Sequence, residues 1–317
     1  MKTSKIVVWL SSLIAVLALV AAGTGLFWRD GGSPFAFTTL HGQMVQIYGQ
    51  GLYHYDTVAS AAQEQGQDAV TLFLGIPILV LSLVLYRRGS LRGHLLLTGT
   101  LAHFLYTYAS MAFLSAYNNL FLVYVALFSA SLFGFVLAFT SIDLQALPAH
   151  FSPRLPRRTL AGFLFAVGVF LLVSWLGLIV RPLAQGHVPP QLESTTTLVI
   201  QVLDLGIIVP VAFLSGVLLL RRAPLGYLLA ATVLIKFLTL GAAVTAMVVG
   251  QLLARVPLGI GDVAGFPILT LIGIGMTGVL LRNLSDAPSE QAAQTVPAGG
   301  SPGQVAQALP AAAGHTH

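Results

Sequence analysis

Eight apolar runs, at about 6–28, 69–86, 94–115, 120–141, 159–180, 197–220, 226–250 and 263–281, decide most of what this chain can fold into. Each holds 18 to 25 residues, enough for a helix to cross ~30 Å of hydrocarbon at ~1.5 Å per residue. Inside lipid a backbone must satisfy its own amides and carbonyls, and a helix does so within one segment. The predicted fold class is all-α integral membrane, with about eight transmembrane helices. Charge content agrees: 8% of the 317 residues are charged, against ~25% in soluble domains.

The order of the basic residues sets the topology. Lys2, Lys5, Arg87, Arg88, Arg92, Arg154, Arg157, Arg158, Arg221, Arg222 and Arg282 fall on one side of the runs, and Arg29, Arg181 and Arg255 on the other. By the positive-inside rule the first side is cytoplasmic, which predicts a multi-pass protein of the cytoplasmic membrane with both termini inside the cell. The net charge of +5 and pI near 9.7 then reflect topology rather than nucleic-acid binding, and membrane lipids are expected partners. A homo-oligomer or a larger membrane complex is compatible with the same pattern. The chain has no cysteine, which excludes disulfides, thiol catalysis and cysteine-held metal or iron–sulfur sites. The first run resembles a secretory signal in Lys2, Lys5 and Val20-Ala21-Ala22. It continues to Trp28, past the usual ~7–15 residues, so it is expected to be retained. Residues 287–317, rich in Ala, Pro, Gly and Gln, are expected to form a disordered cytoplasmic tail, with His315 and His317 solvated.

Set side by side, the two halves of the chain look alike. YRRGSLRGHLLLTGTLAHFL (86–105) lies against LRRAPLGYLLAATVLIKFL (220–238) with one gap at Arg92, pairing Arg87-Arg88 with Arg221-Arg222, Gly93 with Gly226 and Phe104 with Phe237. Further matches are GLFWR (25–29) with GLIVR (177–181) and FTSID (139–143) with RNLSD (282–286). The expected organisation is two tandem four-helix halves, 1–145 (including an outer loop, 29–68) and 146–286, followed by the tail 287–317. Four is even, so the halves share one orientation and are related by an axis along the membrane normal. The competing explanation is two basic turns made alike by topology alone.

That alignment sets Lys236 opposite His103, each about ten residues from its basic turn and so near mid-membrane. Gly99, His103, Tyr106 and Ser110 share one helical face; Thr232, Lys236, Thr239 and Ala243 share the equivalent one. Polar faces in a membrane turn toward protein or water, so both stripes are expected to point inward. Gly75 with Pro77, and Pro210 in the other half, read as helix breaks at comparable depth. Gln201 and Asp204 lie on the sixth segment. Mutual pairing of Lys236 and Asp204, by lysine reach, helix tilt or one bridging water, is expected, because an unpaired charge at that depth is costly. Val70 takes the Asp204 position in the first half.

The outer loop 29–68 is aromatic and nearly uncharged, which suggests a lid lying along the interface. Its candidate residues are His41, Tyr53, His54, Tyr55 and Asp56, with Asp56 the expected N-cap of a short helix leading into the second run. His41, His54 and Asp56 match no metal-ligand spacing, and only His103 is deep enough to meet a haem, so no metal and no cofactor is predicted. No ATP-binding, zinc-protease or serine-hydrolase motif occurs, nor a convincing carboxylate pair. The leading reading is binding or transport of a small solute, an anionic one among the candidates, at a midplane site between the halves. Lys236 and His103 would contact an anion or relay a proton, Asp204 would be the counter-charge, and Tyr106 and Gln201 would line the site. A non-catalytic membrane subunit or assembly factor with a structural Lys236–Asp204 pair is the alternative. A membrane enzyme acting on a lipid or quinone is the third reading, for which no catalytic pair is visible.

Overall fold

The computed structural model describes residues 3–287; the expected tail from 288 onward, with His315 and His317, lies outside them. The helices are α1 (Lys5–Phe27), α2 (Val58–Val70), α3 (Ile76–Arg87), α4 (Leu91–Leu114), α5 (Phe121–Thr140), α6 (Arg157–Ala184), α7 (Val199–Leu203), α8 (Val209–Leu220), α9 (Pro224–Leu253) and α10 (Ile260–Arg282). A π-helical turn, Thr71–Gly75, joins α2 to α3, and a second, Asp204–Ile208, joins α7 to α8. The ten helices therefore make eight rods. Seven of these are long and apolar enough to cross a membrane. The eighth, α4, carries His94, Thr98, Thr100, His103 and Thr107, all of them buried inside the protein. The molecule is a multi-spanning, essentially all-α membrane protein.

Two expectations about boundaries are corrected. The second rod begins at Val58 rather than near 69, because Glu64, Gln67 and Asp68 are buried against protein and their polarity does not end the helix. Its N-cap is Thr57, whose hydroxyl accepts from the Ser60 amide; Asp56 instead accepts from the Ala116 amide at 2.8 Å. The outer loop is thus shorter than expected, and it contains an antiparallel hairpin, β1 (Phe35–Thr38) with β2 (Met44–Ile47). The hairpin turn is closed by Gly42 at φ +76°, a conformation that favours glycine.

There are two apolar cores: Ile14, Leu79, Leu101, Phe104 and Leu127 fill one, and Leu164, Leu219, Leu228, Leu234 and Leu280 fill the other together with Leu91 and Leu95 of α4. The first four rods meet the last four where α9 lies against α2 and α4. Small residues make that approach possible. A Cβ on Gly66 would stand 2.7 Å from the Met247 amide nitrogen, and one on Gly250 would stand 2.6 Å from the Ala62 carbonyl oxygen. On the other side a Cβ on Gly99 would meet Ile235 at 2.5 Å, which fixes the α4–α9 crossing.

Gly75, Pro77 and Pro210 do not break their helices. In each case the amide closing the π turn reaches back five residues, Ile76 to Thr71 and Val209 to Asp204, and the proline follows as an early residue of the next helix. The extra residue per turn makes room for a ring that would press on the carbonyl four residues back in a regular helix. One constant offset relates these two stretches and continues past them. It pairs Gly89 (φ 78°) with Arg222 (φ 56°), the left-handed residues that end α3 and α8. It also pairs the bonds Ser90 N–H to Leu85 C=O (3.2 Å) and Ala223 N–H to Leu218 C=O (3.0 Å). Gly93 against Leu85 and Tyr86 matches Gly226 against Leu218 and Leu219. Taken as a plain numbering offset, it also sets Arg88 with Arg221, Thr71 with Asp204 and His103 with Lys236.

Candidate functional site

The α4–α9 crossing brings the two predicted stripes together. One turn beyond Gly99 comes His103, 1% exposed, and next to Ile235 comes Lys236, 7% exposed. The Lys236 ammonium lies 3.9 Å from the centroid of the Tyr106 ring, a cation–π contact. Among the described residues Lys236 Nζ has no hydrogen-bond partner, and neither has either ring nitrogen of His103.

Asp204, 5% exposed, is the opposite case. Its Oδ1 accepts from the Tyr106 hydroxyl at 2.8 Å and its Oδ2 from the Trp175 indole N–H at 2.9 Å. Among the described residues Lys236 and Asp204 share no hydrogen bond; the carboxylate accepts from neutral donors on α4 and α6 and keeps further lone pairs. Tyr106 stands between the two charges, giving its ring face to the cation and its hydroxyl to the anion. The arrangement ties α4, α6, α9 and the second π turn to one another. Trp175 was not among the sequence candidates, since an indole in an apolar run looks like any other core or lipid-facing aromatic. Gln201 is buried one turn before Asp204 and lines a shallow cleft of about 490 Å³ with Leu192, Thr197 and Leu205.

The lid candidates separate. His41 lies exposed at the hairpin tip and Tyr55 is exposed, while His54 packs edge-on against Tyr55 with centroids 4.7 Å apart. Tyr53 and Asp56 turn inward to a cluster that sequence reasoning missed. The Tyr53 hydroxyl donates to Asp68, and the Ser115 hydroxyl donates to Glu64. The Asp56 and Glu64 carboxyl groups lie side by side, each with one oxygen that has no donor, Asp56 Oδ2 and Glu64 Oε2. One proton held between them would serve both. Burial drives the Asp56 carboxyl up to about 6, against the opposing hydrogen bond from Ala116. Burial likewise drives the Tyr53 hydroxyl well above its usual range, with the Asp68 charge adding to the rise. Gly25 of α1 makes room for this cluster, since a Cβ there would overlap Asp68 Oδ2 and crowd the Tyr53 hydroxyl. The chain thus carries a carboxylate pair, Asp56 with Glu64, that its sequence did not lead one to expect. Glu64 and Asp68 are four residues apart on one helical face, and a hydropathy reading that starts the helix at 69 cannot see that.

Among the described residues no cluster of His, Asp and Glu is arranged to hold a metal ion. Compared with protein-family models, curated proteins and solved structures, the chain matches none of them.

Proposed function

We propose that this multi-spanning membrane protein binds, and carries across the bilayer, a small anionic solute at a site between its two four-helix halves. One observation carries the reading: Lys236 is deeply buried, yet its ammonium has only an aromatic face for company, beside a His103 with both nitrogens unbonded. Buried donors are normally satisfied, and an intramembrane ionisable group left without a hydrogen bond marks a functional position by default. An anion accepting from Lys236 and His103 completes them, with Asp204 held aside by Tyr106 and Trp175 as the counter-charge that leaves the empty site near neutral. Gln201 lies one turn outward on the approach. The reading includes a duplication of 1–145 and 146–286 about an axis along the membrane normal, supported by the matched π turns and helix ends. It also places both termini in the cytoplasm, supported by the basic residues on that side.

The test separates a binding lysine from a structural one. If Lys236 were the partner that holds Asp204, Lys236→Met would cost ~3–5 kcal/mol by stranding a buried charge. With Asp204 already held by two donors, the variant should unfold within ~1 kcal/mol of wild type. A thermal-shift screen with formate, acetate, phosphate, sulfate and small dicarboxylates should find an anion that stabilises wild type and leaves Lys236→Met unmoved. No stabilising anion, or equal stabilisation of both proteins, refutes the reading. The same atoms favour one second reading, a non-catalytic membrane subunit, since Asp204 bonded to α4 and α6 makes a lock without any solute.

A further inference from the structure

We infer that the protein holds one phospholipid with an anionic headgroup in a groove between α2 and α9, on the side of the membrane that carries the hairpin. The groove has a volume of about 840 Å³ and is walled by α1, α2, α9 and α10, from Leu26 at the end of α1 to Leu271 on α10. That size lies within the ~300–1,000 Å³ of ordinary ligand sites. Along α2 it runs from Val58 to Ala69 and along α9 from Ala254 to Ala242. At ~1.5 Å per helical residue that is roughly 17 Å, close to one leaflet's share of the ~30 Å hydrocarbon core.

The wall suits an acyl chain. The hydroxyls of Thr245 and Thr270 are each spent on the carbonyl four residues back, Gly241 and Phe266, so neither offers a free donor to the groove. Small side chains form the floor, because α2 and α9 touch there through Gly66 and Gly250.

The mouth suits a phosphate. Tyr48 and Gln65 are the polar residues at that end, and both are bound by the exposed Arg29, whose guanidinium donates to the Tyr48 hydroxyl and, at 3.3 Å, to Gln65 Oε1. A guanidinium has five N–H donors, so Arg29 keeps donors for a ligand. Arg255 follows directly on Ala254, the C-cap of α9 at the rim, and adopts a left-handed backbone (φ 57°) there. Two of the three arginines on this side of the chain thus flank one groove. The nearest acid in sequence, Asp30, is turned to the Gly51 amide at 2.7 Å. A zwitterionic headgroup would bring its own cation against these arginines, whereas an anionic one is drawn by both.

The experiment is native mass spectrometry of the full chain released from bilayers of equal phosphatidylglycerol and phosphatidylcholine. Wild type should retain one lipid, enriched in phosphatidylglycerol. Arg29→Gln and Arg255→Gln should each lower the enrichment about fivefold, the fold-change for ~1 kcal/mol per basic residue at a charged lipid surface. Val249→Trp, at an exposed position of the groove wall, should remove the retained lipid whatever its headgroup, with the unfolding temperature as the check on folding. Equal retention of the two lipids by wild type overturns the inference. So does an unchanged enrichment in both arginine variants, or a lipid that Val249→Trp retains.

Discussion

Tyr106→Phe isolates one hydroxyl at the centre of the molecule. The ring stays, and with it the cation–π contact to Lys236 at 3.9 Å; what goes is the 2.8 Å donor to Asp204 Oδ1. A hydrogen bond to a charged acceptor contributes ~1.5–3 kcal/mol in soluble proteins. Polar contacts between membrane helices average nearer ~0.6, with a ceiling of ~1.7, because the unfolded chain in the membrane also finds partners. Asp204 is 5% exposed and no water can readily replace the lost donor, so the upper part of the membrane range applies. We expect a loss of ~1–1.7 kcal/mol, a roughly five- to eighteenfold shift in the folding equilibrium. Titration with sodium dodecyl sulfate in mixed micelles, followed by circular dichroism, measures it. A double-mutant cycle with Asp204→Asn assigns the loss to this pair if the coupling exceeds ~0.5 kcal/mol. Tyr106→Leu should cost ~1–2 kcal/mol more, since it also removes the aromatic face from a desolvated cation. If Tyr106→Phe unfolds with wild type and the cycle shows no coupling, Tyr106 does not stand between the two charges and the description of the centre is wrong.

Gly66→Val should lower stability by ~1–3 kcal/mol through overpacking, because its Cβ has no room beside the Met247 amide; tolerance of the change would mean that α2 and α9 are not in close contact. The Asp56 carboxyl, raised by burial from 3.8 to about 6, binds its proton more tightly in the folded state. Its stabilising contribution is therefore complete below about pH 3.8 and is lost as pH rises through about 6. The unfolding free energy, from denaturant titrations at each pH, should accordingly fall between about pH 4 and 6, and Asp56→Asn should flatten that fall. Glu64, which shares the cluster, leaves a residual slope, and a wild-type profile running the other way counts against the assignment. Lys236→Met and the arginine variants of the groove complete the set.

Hydropathy made the rods legible because a bilayer-length apolar helix has few alternatives in lipid. It failed at the start of the second rod for a definite reason. Glu64, Gln67 and Asp68 look like loop residues until the helices that bury them are in place. The centre was legible in part: a lysine and a histidine at equal depth are visible in the letters, and their two stripes do face each other across the α4–α9 crossing. The hydrogen bonds from Tyr106 and Trp175 were not, because the letters cannot say which neutral donors reach a buried carboxylate. The letters pair Arg87-Arg88 with Arg221-Arg222, whereas the left-handed residues that end α3 and α8 are Gly89 and Arg222, one residue off that pairing.

The two π turns have a consequence for what the chain can tolerate in length. Each sets the phase between the parts of its rod. On one side of the first turn the facing of α3 is fixed by Gly93 against Leu85 and Tyr86; on the other, that of α2 is fixed by Gly66 against Met247. Removing one residue from Thr71–Gly75 would close the rod as a regular α-helix, with the carbonyl four residues before Pro77 unbonded and pressed by the proline ring. It would also swing every residue from Val58 to Val70 by ~100° and carry them ~1.5 Å along the axis. Glu64 and Asp68 would then leave Ser115 and Tyr53, and Gly66 would no longer face α9. The rod behaves like a shaft with two keyed ends, and its surplus residue is what lets both keys engage at once.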